Sequence, residues 1–339
     1  MKKLIAILLV LVLAVSMVAC ANTADSGKKT IAVIAKGETH AFWQAVKAGA
    51  VAAGTEAGYE VTFQGPTSES ESEVPNQRNM VQTALNNSSV KAIVLATIGL
   101  GFSDELISAY NKGLPVVEFD SGLYQNNADV DPNKDPVIGS VATDNKKAGA
   151  VVAENFYAYL KAQNVLVNGY KVGVIQHDAT STGIDRAEGF IEKINELAKA
   201  DNITLEINRQ EKQNNAGEYK LALTALKEWG AASIFMTNEG VVNEVYPEVK
   251  DNADTYKSIL FCGFDAGTNQ YDWIKDAGNS CAKLVGSVAQ DSYSIGYEAV
   301  KLAIAKLDGK EVKDVGIGGQ WYNAENIDDL KNKNIFYMG

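Results

Sequence analysis

The sequence contains very few of the residues that bind metals or exchange protons near neutral pH. Among its 339 residues there are two histidines, His40 and His177, and three cysteines. None of these residues forms the closely spaced cysteine and histidine cluster that holds a zinc ion. We therefore expect no metal site, and nothing in the sequence calls for a cofactor.

Basic residues are also in the minority. The chain has 31 lysines and arginines against 42 acidic residues, which gives a formal net charge of −11. A surface with this balance repels nucleic acid and anionic lipid. The composition is otherwise that of a folded protein, and the length suits two domains of ordinary size.

A long apolar run occurs only at the start of the chain. Lys2 and Lys3 precede an apolar stretch at 4–19 that ends in small residues before Cys20. This stretch is shorter than the roughly 20 residues that span a bilayer, and its pattern is that of an export signal. A cysteine at this point resembles a bacterial lipobox, so we predict a signal peptide at 1–19, lipidation of Cys20 and a tether at 20–29. The mature protein would then be extracytoplasmic and anchored to the membrane. The alternative is an ordinary signal peptide that happens to contain Cys20.

Cys262 and Cys281 are the remaining cysteines. An exported protein can form a disulfide, but sequence spacing does not show whether two thiols meet. A Cys262–Cys281 disulfide and two separate buried thiols are both consistent with the sequence.

From residue 30 onward, short apolar runs alternate with amphipathic helical stretches. The predicted strands are at 30–35, 59–64, 92–96, 115–119, 137–141, 171–176, 203–208, 233–236, 258–263 and 284–289. The predicted helices are at 41–57, 73–85, 103–111, 146–161, 185–197, 219–228 and 291–307. This alternation is typical of parallel sheets covered by helices on both faces. Two comparable sets of strand and helix units, at 30–120 and 171–265, predict two similar lobes.

Polar side chains follow most of the predicted strands. Ligands of open parallel sheets bind beyond the carboxyl ends of the strands, so these residues are candidates for a binding site. Capping of a following helix is the alternative reading, and we favour it for Thr97, Thr143 and Asp178. The remaining set combines carboxylates, amides and aromatic rings, which suits the hydroxyl groups and the C–H faces of a sugar. Its members are Phe42, Trp43, Asp120, Asn238, Phe264, Asp265 and Gln290, with Arg186 at the start of a helix.

Seven short segments resemble the type I periplasmic sugar-binding proteins, of which ribose-binding proteins are members. They are THAFW at 39–43, LPVVEFDS at 114–121, GSVATDN at 139–145, DRAEGF at 185–190, NE at 238–239, GFD at 263–265 and VAQ at 288–290. The resemblance implies that Phe42 and Trp43 sandwich a sugar ring with Phe264 nearby. It implies hydrogen bonds to the hydroxyl groups from Asp120, Arg186, Asn238, Asp265 and Gln290. His40 matches a position that is commonly Asn, and Ser121 matches a position where ribose-type members carry Arg, which leaves the identity of the sugar open.

The resemblance also implies an architecture and a role. The fold would be α/β, with two doubly wound parallel-sheet lobes joined by three chain crossings near Asp144, Asp291 and Gly318. One lobe would comprise 30–143 with 291–317, and the other 144–290 with 318–339. Such a protein is a monomer that captures a monosaccharide, closes around it and delivers it to the permease and ATPase of an ABC transporter. The same lobes would serve a sensory lipoprotein that presents its ligand to a membrane receptor, and a polyol or a nucleoside would suit the same chemistry.

Other motifs are weaker. Gly99 and Gly101 follow a strand in a glycine pattern like that of dinucleotide-binding folds, but Asp104 replaces the third glycine. Ser280 lies between a helix and a strand, the reverse of the order that a nucleophile elbow requires. His177 has no serine or cysteine in a triad-like arrangement. Sugar-responsive repressors share the implied fold but carry a DNA-binding domain where this chain has an export signal. We therefore expect a binding protein that is not an enzyme.

Overall fold

The computed structural model describes residues 28–123, 130–211, 217–275 and 282–332. These residues form twelve strands: β1 (Thr30–Ile34), β2 (Glu60–Gln64), β3 (Val90–Leu95), β4 (Val116–Phe119), β5 (Val137–Thr143), β6 (Tyr170–Gln176), β7 (Leu205–Glu211), β8 (Ser233–Met236), β9 (Leu260–Phe264), β10 (Lys283–Gln290), β11 (Val315–Ile317) and β12 (Gly319–Tyr322). Cys20, the predicted site of lipidation, and Cys281 both lie outside the described residues.

The same residues form eleven α-helices: α1 (Ala41–Glu56), α2 (Val74–Asn86), α3 (Ser103–Asn111), α4 (Asn145–Ala162), α5 (Ser181–Ala200), α6 (Glu218–Trp229), α7 (Glu239–Asp251), α8 (Ala253–Tyr256), α9 (Thr268–Lys275), α10 (Ser292–Leu307) and α11 (Ile327–Asn332). Two short 3₁₀ helices lie at Glu71–Glu73 and Pro132–Lys134. Within these residues, no helix has the length and apolar character needed to cross a bilayer.

The strands form two six-stranded sheets with the same topology. The first has the order β11-β5-β4-β3-β1-β2, and the second has the order β12-β10-β9-β8-β6-β7. All neighbouring strands run parallel except the pair β10 and β12. The strand order reverses between β1 and β3 in the first sheet and between β6 and β8 in the second. Doubly wound folds bind ligands at such a reversal.

Three chain crossings join the two sheets. The chain leaves the first sheet after β5, returns to the first lobe after β10 with α10, which packs on β3, β4 and β5, and crosses again between β11 and β12. The predicted fold class, two similar doubly wound lobes joined by three crossings, is confirmed. We refer to the lobe that contains β1 as the N-lobe and to the lobe that contains β6 as the C-lobe.

The burial of each strand follows its place in the sheet. Every residue of the central strand β1 is buried, whereas the edge strand β2 alternates between exposed and half-buried positions. Central parallel strands are covered on both faces, so they read as unbroken apolar runs.

Cys262, in the central strand β9, is fully buried, and burial raises the pKa of its thiol well above the ordinary value. Cys281 lies outside the described residues, so the disulfide and the two separate thiols both stay consistent with the chain.

In each lobe, two helices pack closely at a glycine residue. In the N-lobe, a Cβ atom on Gly49 of α1 would lie 2.0 Å from the carbonyl oxygen of Tyr293, at the start of α10. In the C-lobe, a Cβ atom on Gly149 of α4 would lie 2.2 Å from the carbonyl oxygen of Arg186 in α5. Only glycine permits backbones to approach this closely. The contact in the C-lobe fixes α5 against α4 and so positions Arg186.

The structure adds elements that the sequence pattern did not predict. The edge strands β11 and β12 are short and lie in a polar tail, and α7 carries Pro247 in its interior. Proline in a helix interior removes a hydrogen bond, so it argues against a helix when a sequence is read alone. Helix α5 begins at Ser181, four residues before the predicted start, which places Arg186 in its second turn.

Candidate functional site

A cavity of about 760 Å³ lies between the carboxyl ends of the two sheets, and residues of both lobes line it. Its volume falls in the range of about 300–1,000 Å³ that is usual for small-molecule sites. Nine of the ten residues predicted from the sequence line it: His40, Phe42, Trp43, Asp120, Ser121, Arg186, Asn238, Asp265 and Gln290. Residues of separate strands and helices thus come together at one place.

Phe264 is the predicted residue that does not line the cavity. Its side chain is fully buried at the end of β9, and the Cζ atom of Arg186 lies 3.9 Å from the centre of its ring. The ring therefore packs behind the guanidinium group in a cation–π contact. In this structure Phe264 packs against Arg186 and does not reach the cavity.

The aromatic wall of the cavity comes from the first turn of α1. The rings of Phe42 and Trp43 meet edge to face with their centres 4.7 Å apart, and Trp43 also contacts the ring of Phe119. The indole Nε1 of Trp43 donates a hydrogen bond to Glu69 Oε1 at 2.7 Å. This bond and the burial of the indole fix the orientation of Trp43, so the wall is rigid before any ligand arrives.

Asp120 follows β4 in a left-handed backbone conformation, with φ of 57°. Asp and Asn tolerate this conformation better than other residues with side chains. The Asp120 carboxylate forms an ion pair with Lys36 Nζ at 3.0 Å and accepts a hydrogen bond from Ser121 Oγ at 3.1 Å. Lys36 Nζ also donates to Ser121 Oγ at 2.5 Å. Lys36, Asp120 and Ser121 therefore form one linked group on the N-lobe side of the cavity.

Gln77 holds together the two strand ends beside this group. The side chain is fully buried on α2, and its Nε2 donates hydrogen bonds to the carbonyl oxygens of Ala35 and Ala96, both at 2.8 Å. Its Oε1 accepts from the backbone N–H of Ile98 at 3.0 Å. Since Lys36 follows Ala35, Gln77 fixes the backbone from which Lys36 enters the cavity.

Arg186 is the corresponding cation of the C-lobe. Only 6% of the residue is exposed. Its Nε donates to Asn145 Oδ1 at 2.8 Å, and its Nη1 donates to the carbonyl oxygen of Thr237 at 3.1 Å. The same Nη1 lies 3.5 Å from Asp265 Oδ2. A buried guanidinium with this many partners has a fixed position and can present its remaining N–H groups to a ligand.

Asp265 mirrors Asp120 in the second sheet. It follows β9, also with a left-handed backbone, at φ of 67°. Its carbonyl oxygen accepts hydrogen bonds from Tyr322 Oη at 2.7 Å and from Ser287 Oγ at 2.9 Å. Its carboxylate accepts from the Nε2 of Gln290 at 2.5 Å. These bonds hold the unusual backbone in place and aim the carboxylate into the cavity.

Gln290 and Asn238 also have structural partners. Gln290 Oε1 accepts a hydrogen bond from Thr143 Oγ1 at 2.7 Å, so the ends of β5 and β10 are joined where the chain crosses between lobes. The capping role favoured for Thr143 is therefore wrong, because Asp144 caps α4 instead. Asn238 caps α7, since its Oδ1 accepts from the N–H of Val241 at 2.9 Å. The amide NH₂ of Asn238 is the part of that side chain that a ligand would use.

The two histidines of the cavity have different environments. His177 is buried, and its Nδ1 lies 2.8 Å from Thr237 Oγ1. Burial and the charge of Arg186 lower the pKa of His177 to about 4, although Asp178 and Asp265 oppose the shift, so the ring is neutral at pH 7. His40 lies at the cavity mouth, where its Nε2 is 3.5 Å from Glu239 Oε2 on the opposite lobe. The hydrogen bond with Glu239 raises the pKa of His40.

The sequence analysis did not assign Lys36, Glu69, Glu118, Asn145 or Glu239 to the site, yet all five line the cavity. Lys36 comes directly after the predicted strand at 30–35, and Glu239 comes directly after the helix cap Asn238. Both positions could have been recognised from the sequence. Glu69 lies in the loop after β2, and no pattern in the sequence shows that this loop folds back over Trp43. In the described part of the chain, no group of three or more histidine, cysteine, aspartate or glutamate residues is placed to hold a metal ion.

This arrangement can bind a small polar ligand, and each of its two permanent cations already has a carboxylate partner. Lys36 is paired with Asp120, and Arg186 is paired with Asp265. Carboxylates, amides and an aromatic wall from two lobes enclose a space of small-molecule size. The fold and the site together define a two-lobed protein that binds a small polar ligand.

Comparisons with known proteins identify the family. Residues 31–311 match the family described as "Periplasmic binding protein domain". The chain belongs to this family, in its type I sugar-binding branch, whose members are extracytoplasmic binding proteins. No curated protein matches this sequence.

Solved structures give similar proteins. A protein from Brachyspira murdochii titled "ABC transporter, LacI family transcriptional regulator" is 30% identical, with a TM-score of 0.77 over 91% of this chain and 99% of the other. An ABC transporter solute-binding protein from Agrobacterium vitis with bound D-fucose is 28% identical, with a TM-score of 0.68 over 91% of this chain and 100% of the other. A carbohydrate transporter solute-binding protein from Agrobacterium radiobacter, in complex with D-arabinose, is 24% identical, with a TM-score of 0.68 over 92% of this chain and 99% of the other.

Proposed function

We propose that this protein captures a monosaccharide, a pentose or a hexose, outside the cytoplasm and delivers it to the permease of an ABC transporter. The observation that carries the proposal is the cavity between the two lobes, where Phe42 offers a ring and Asp120 and Asp265 offer fixed carboxylates. Sugars need this combination, because their hydroxyl groups both donate and accept hydrogen bonds while their C–H faces pack on rings. The similarity to a solute-binding protein with bound D-fucose supports the same conclusion.

The proposed ligand contacts are those predicted from the sequence, with one change. Phe42 and Trp43 contact the sugar ring, and Asp120, Arg186, Asn238, Asp265 and Gln290 contact hydroxyl groups, while Phe264 acts through Arg186. Binding draws the lobes together about the three crossings, and the closed form is recognised by the permease. The role requires no chemical step, and we assign none to the protein.

A ligand screen tests this proposal. The protein is first freed of bound ligand, and its thermal unfolding is then measured with pentoses, hexoses, polyols and nucleosides. At 100 times the dissociation constant a ligand adds about 2.7 kcal/mol of stability, which raises the unfolding midpoint of a chain of this length by about 4 °C. At least one monosaccharide is expected to do so. A folded, ligand-free protein that no monosaccharide stabilises would overturn the proposal, and stabilisation by a nucleoside alone would replace the sugar with that class.

We also propose that Cys20 carries the lipid that anchors the protein to the membrane. The support is the sequence before it, in which a basic start and an apolar stretch end in small residues. Replacement of Cys20 by alanine is expected to move the protein from the membrane fraction to the soluble fraction. Cys262→Ala, which removes a fully buried thiol, serves as the control and is expected to stay with the membrane. Membrane association of Cys20→Ala would contradict this assignment.

A further inference from the structure

A groove of about 570 Å³ lies at the base of the N-lobe, at the amino ends of its strands. We call it the base groove. Lys29, Lys91 and Lys112 line it, beside a polar loop at 86–88. Lys29 precedes β1, Lys91 is the second residue of β3, and Lys112 comes shortly before β4. Because these strands run parallel, the base groove and the cavity between the lobes lie at opposite ends of the same sheet.

The charge of the base groove is opposite to that of the chain. Of the described residues that line it, three are lysines and none is acidic, although acidic residues outnumber basic ones in the sequence. None of the three lysines forms an ion pair with a described carboxylate. Lys91 Nζ donates to the carbonyl oxygen of Ser88 at 2.8 Å, and Lys112 Nζ donates to that of Leu85 at 2.9 Å. An ammonium group has three N–H donors, so each keeps donors for another partner.

The corresponding end of the C-lobe provides a comparison. Lys171, the second residue of β6, lies 3.9 Å from a carboxylate oxygen of Glu206. Lys257, which comes shortly before β9, lies 3.5 Å from a carboxylate oxygen of Asp254. The protein itself supplies acidic partners for these two lysines, whereas it supplies none for the lysines of the base groove. An anionic partner from outside the chain is therefore expected at the base of the N-lobe.

The position of Cys20 indicates which anion is within reach. Lys29 follows Cys20 by nine residues, and a chain of that length spans at most about 30 Å. A lipid on Cys20 would therefore keep the base groove within about 30 Å of the membrane. Anionic lipids give a membrane a negative surface potential, which repels the chain as a whole. That potential falls off within a Debye length of about 8 Å, so the face nearest the membrane decides whether contact is favourable.

We propose that the base groove binds the phosphate head groups of anionic lipids, so that the anchored protein rests on the base of its N-lobe. The inference rests on the proposed lipid anchor at Cys20. Lysine binds phosphate as a point charge, and the side-chain amides of Asn86 and Asn87 add neutral donors beside the lysines. In this orientation the cavity between the lobes faces away from the membrane, where it is accessible to solutes.

The test measures how fast each lysine is acetylated while the lipidated protein is held on vesicles. The vesicles contain phosphatidylcholine alone or an equal mixture of phosphatidylcholine and phosphatidylglycerol, and mass spectrometry quantifies each acetylated position. One lysine beside an anionic membrane favours contact by about fivefold, so three favour it by on the order of 100-fold. Lys29, Lys91 and Lys112 are expected to react at least about fivefold more slowly on the mixed vesicles. Lys257, whose side chain is 65% exposed, is the control and is expected to react equally fast on both.

Salt and substitutions show whether charge causes the protection. At about 1 M salt the Debye length is about 3 Å, so the protection is expected to disappear. In a chain with Lys91→Gln and Lys112→Gln, protection of Lys29 is expected to fall to about twofold or less, because repulsion of the acidic chain then opposes a single lysine. A chain with Lys91→Arg and Lys112→Arg keeps the charges and is expected to keep the protection. Both chains are expected to bind sugar within about twofold of the parent protein, since the base groove is remote from the cavity.

Two results would overturn the inference while leaving the proposed function intact. In one, the three lysines react equally fast on both kinds of vesicle; slow reaction on both would assign the base groove to the tether or to a second copy of the chain. In the other, the glutamine pair protects Lys29 as well as the parent protein does. The comparison of vesicles uses the parent protein, so it decides the matter even if the glutamine pair fails to fold.

Failure of the proposed anchor gives a different result. A protein without a lipid does not stay with vesicles of either composition, and that outcome is seen before any lysine is acetylated. Failure of the proposed sugar binding is seen in the ligand screen, which uses no vesicles.

Discussion

The contact between His40 and Glu239 predicts that ligand affinity depends on pH. His40 lies at the start of α1 in the N-lobe, and Glu239 begins α7 in the C-lobe, so their contact at 3.5 Å spans the mouth of the cavity. Opening of the lobes separates them. The pKa of His40 is raised by its hydrogen bond with Glu239 and by the charges of Glu69 and Asp265, against an opposing effect of burial.

The direction of the effect follows from linkage between protonation and closure. Because the raised pKa belongs to the form in which His40 meets Glu239, protonation favours that form over the open one. The stabilisation is complete below the ordinary histidine pKa and is lost as the pH rises through the raised value. His40 Nδ1 also accepts from the N–H of Phe42 within the N-lobe, but that bond is present in both forms and cancels from the difference.

The magnitude is small because the His40 side chain is 41% exposed. Ion pairs with this exposure contribute about 0.2–1 kcal/mol, which corresponds to about a 1.4- to 5-fold change in Kd. We expect the parent protein to bind its sugar that much more tightly at about pH 5.5 than at about pH 8.5. Isothermal titration at both pH values measures the effect.

Variants of each partner isolate the cause. His40→Asn and Glu239→Gln are expected to remove the pH dependence. Glu192→Gln, which removes an exposed ion pair with Lys146 on the outer surface of the C-lobe, is the control and should retain it. An unchanged pH dependence in Glu239→Gln would refute the reasoning, and so would tighter binding of the parent protein at the higher pH.

Three further predictions concern the walls of the cavity and the packing behind them. Phe42→Ala removes one ring of the aromatic wall and is expected to weaken sugar binding at least tenfold by titration; binding within twofold of the parent protein would exclude stacking. Tyr322→Phe removes one of two hydrogen bonds to the Asp265 carbonyl and is expected to lower the free energy of unfolding by about 1 kcal/mol in urea, whereas no loss would show that the bond is dispensable. Gly149→Ala forces a methyl group against the backbone of α5 and is expected to lower the unfolding temperature, despite the gain of up to about 1 kcal/mol in helix propensity. The control is Gly318→Ala, where no atom lies within 4 Å of the added group, and equal stability of the two variants would contradict the packing argument.

The sequence predicted the core of the fold well because buried parallel strands have a clear signature. The ten predicted strands appear as β1 to β10, and the central strands among them are compact runs of apolar residues. The strands β11 and β12 were not predicted, because a short edge strand buries too few side chains to leave a hydrophobic pattern in the sequence. Helix α7 was not predicted because it contains Pro247. The hydrogen bond that this proline removes from the helix is offset by burial of the apolar face of the helix.

The site was predicted to the extent that it depends on strand ends. Asp120 and Asp265 follow β4 and β9, so the topology alone brings them to the same cavity. Phe264 was assigned to the cavity as an aromatic ring at a strand end, but its side chain is fully buried and lies behind Arg186. Glu69 could not be predicted, because its place against Trp43 depends on the path of a loop.

The central claim is that residues of both lobes bind one sugar in the cavity between them. A crystal structure with the tightest ligand of the screen tests this claim most directly. The account predicts that the sugar lies between Phe42 and Arg186, with hydrogen bonds to Asp120 from the N-lobe and to Asp265 from the C-lobe. A sugar bound outside the cavity, or one that contacts a single lobe, would contradict the account.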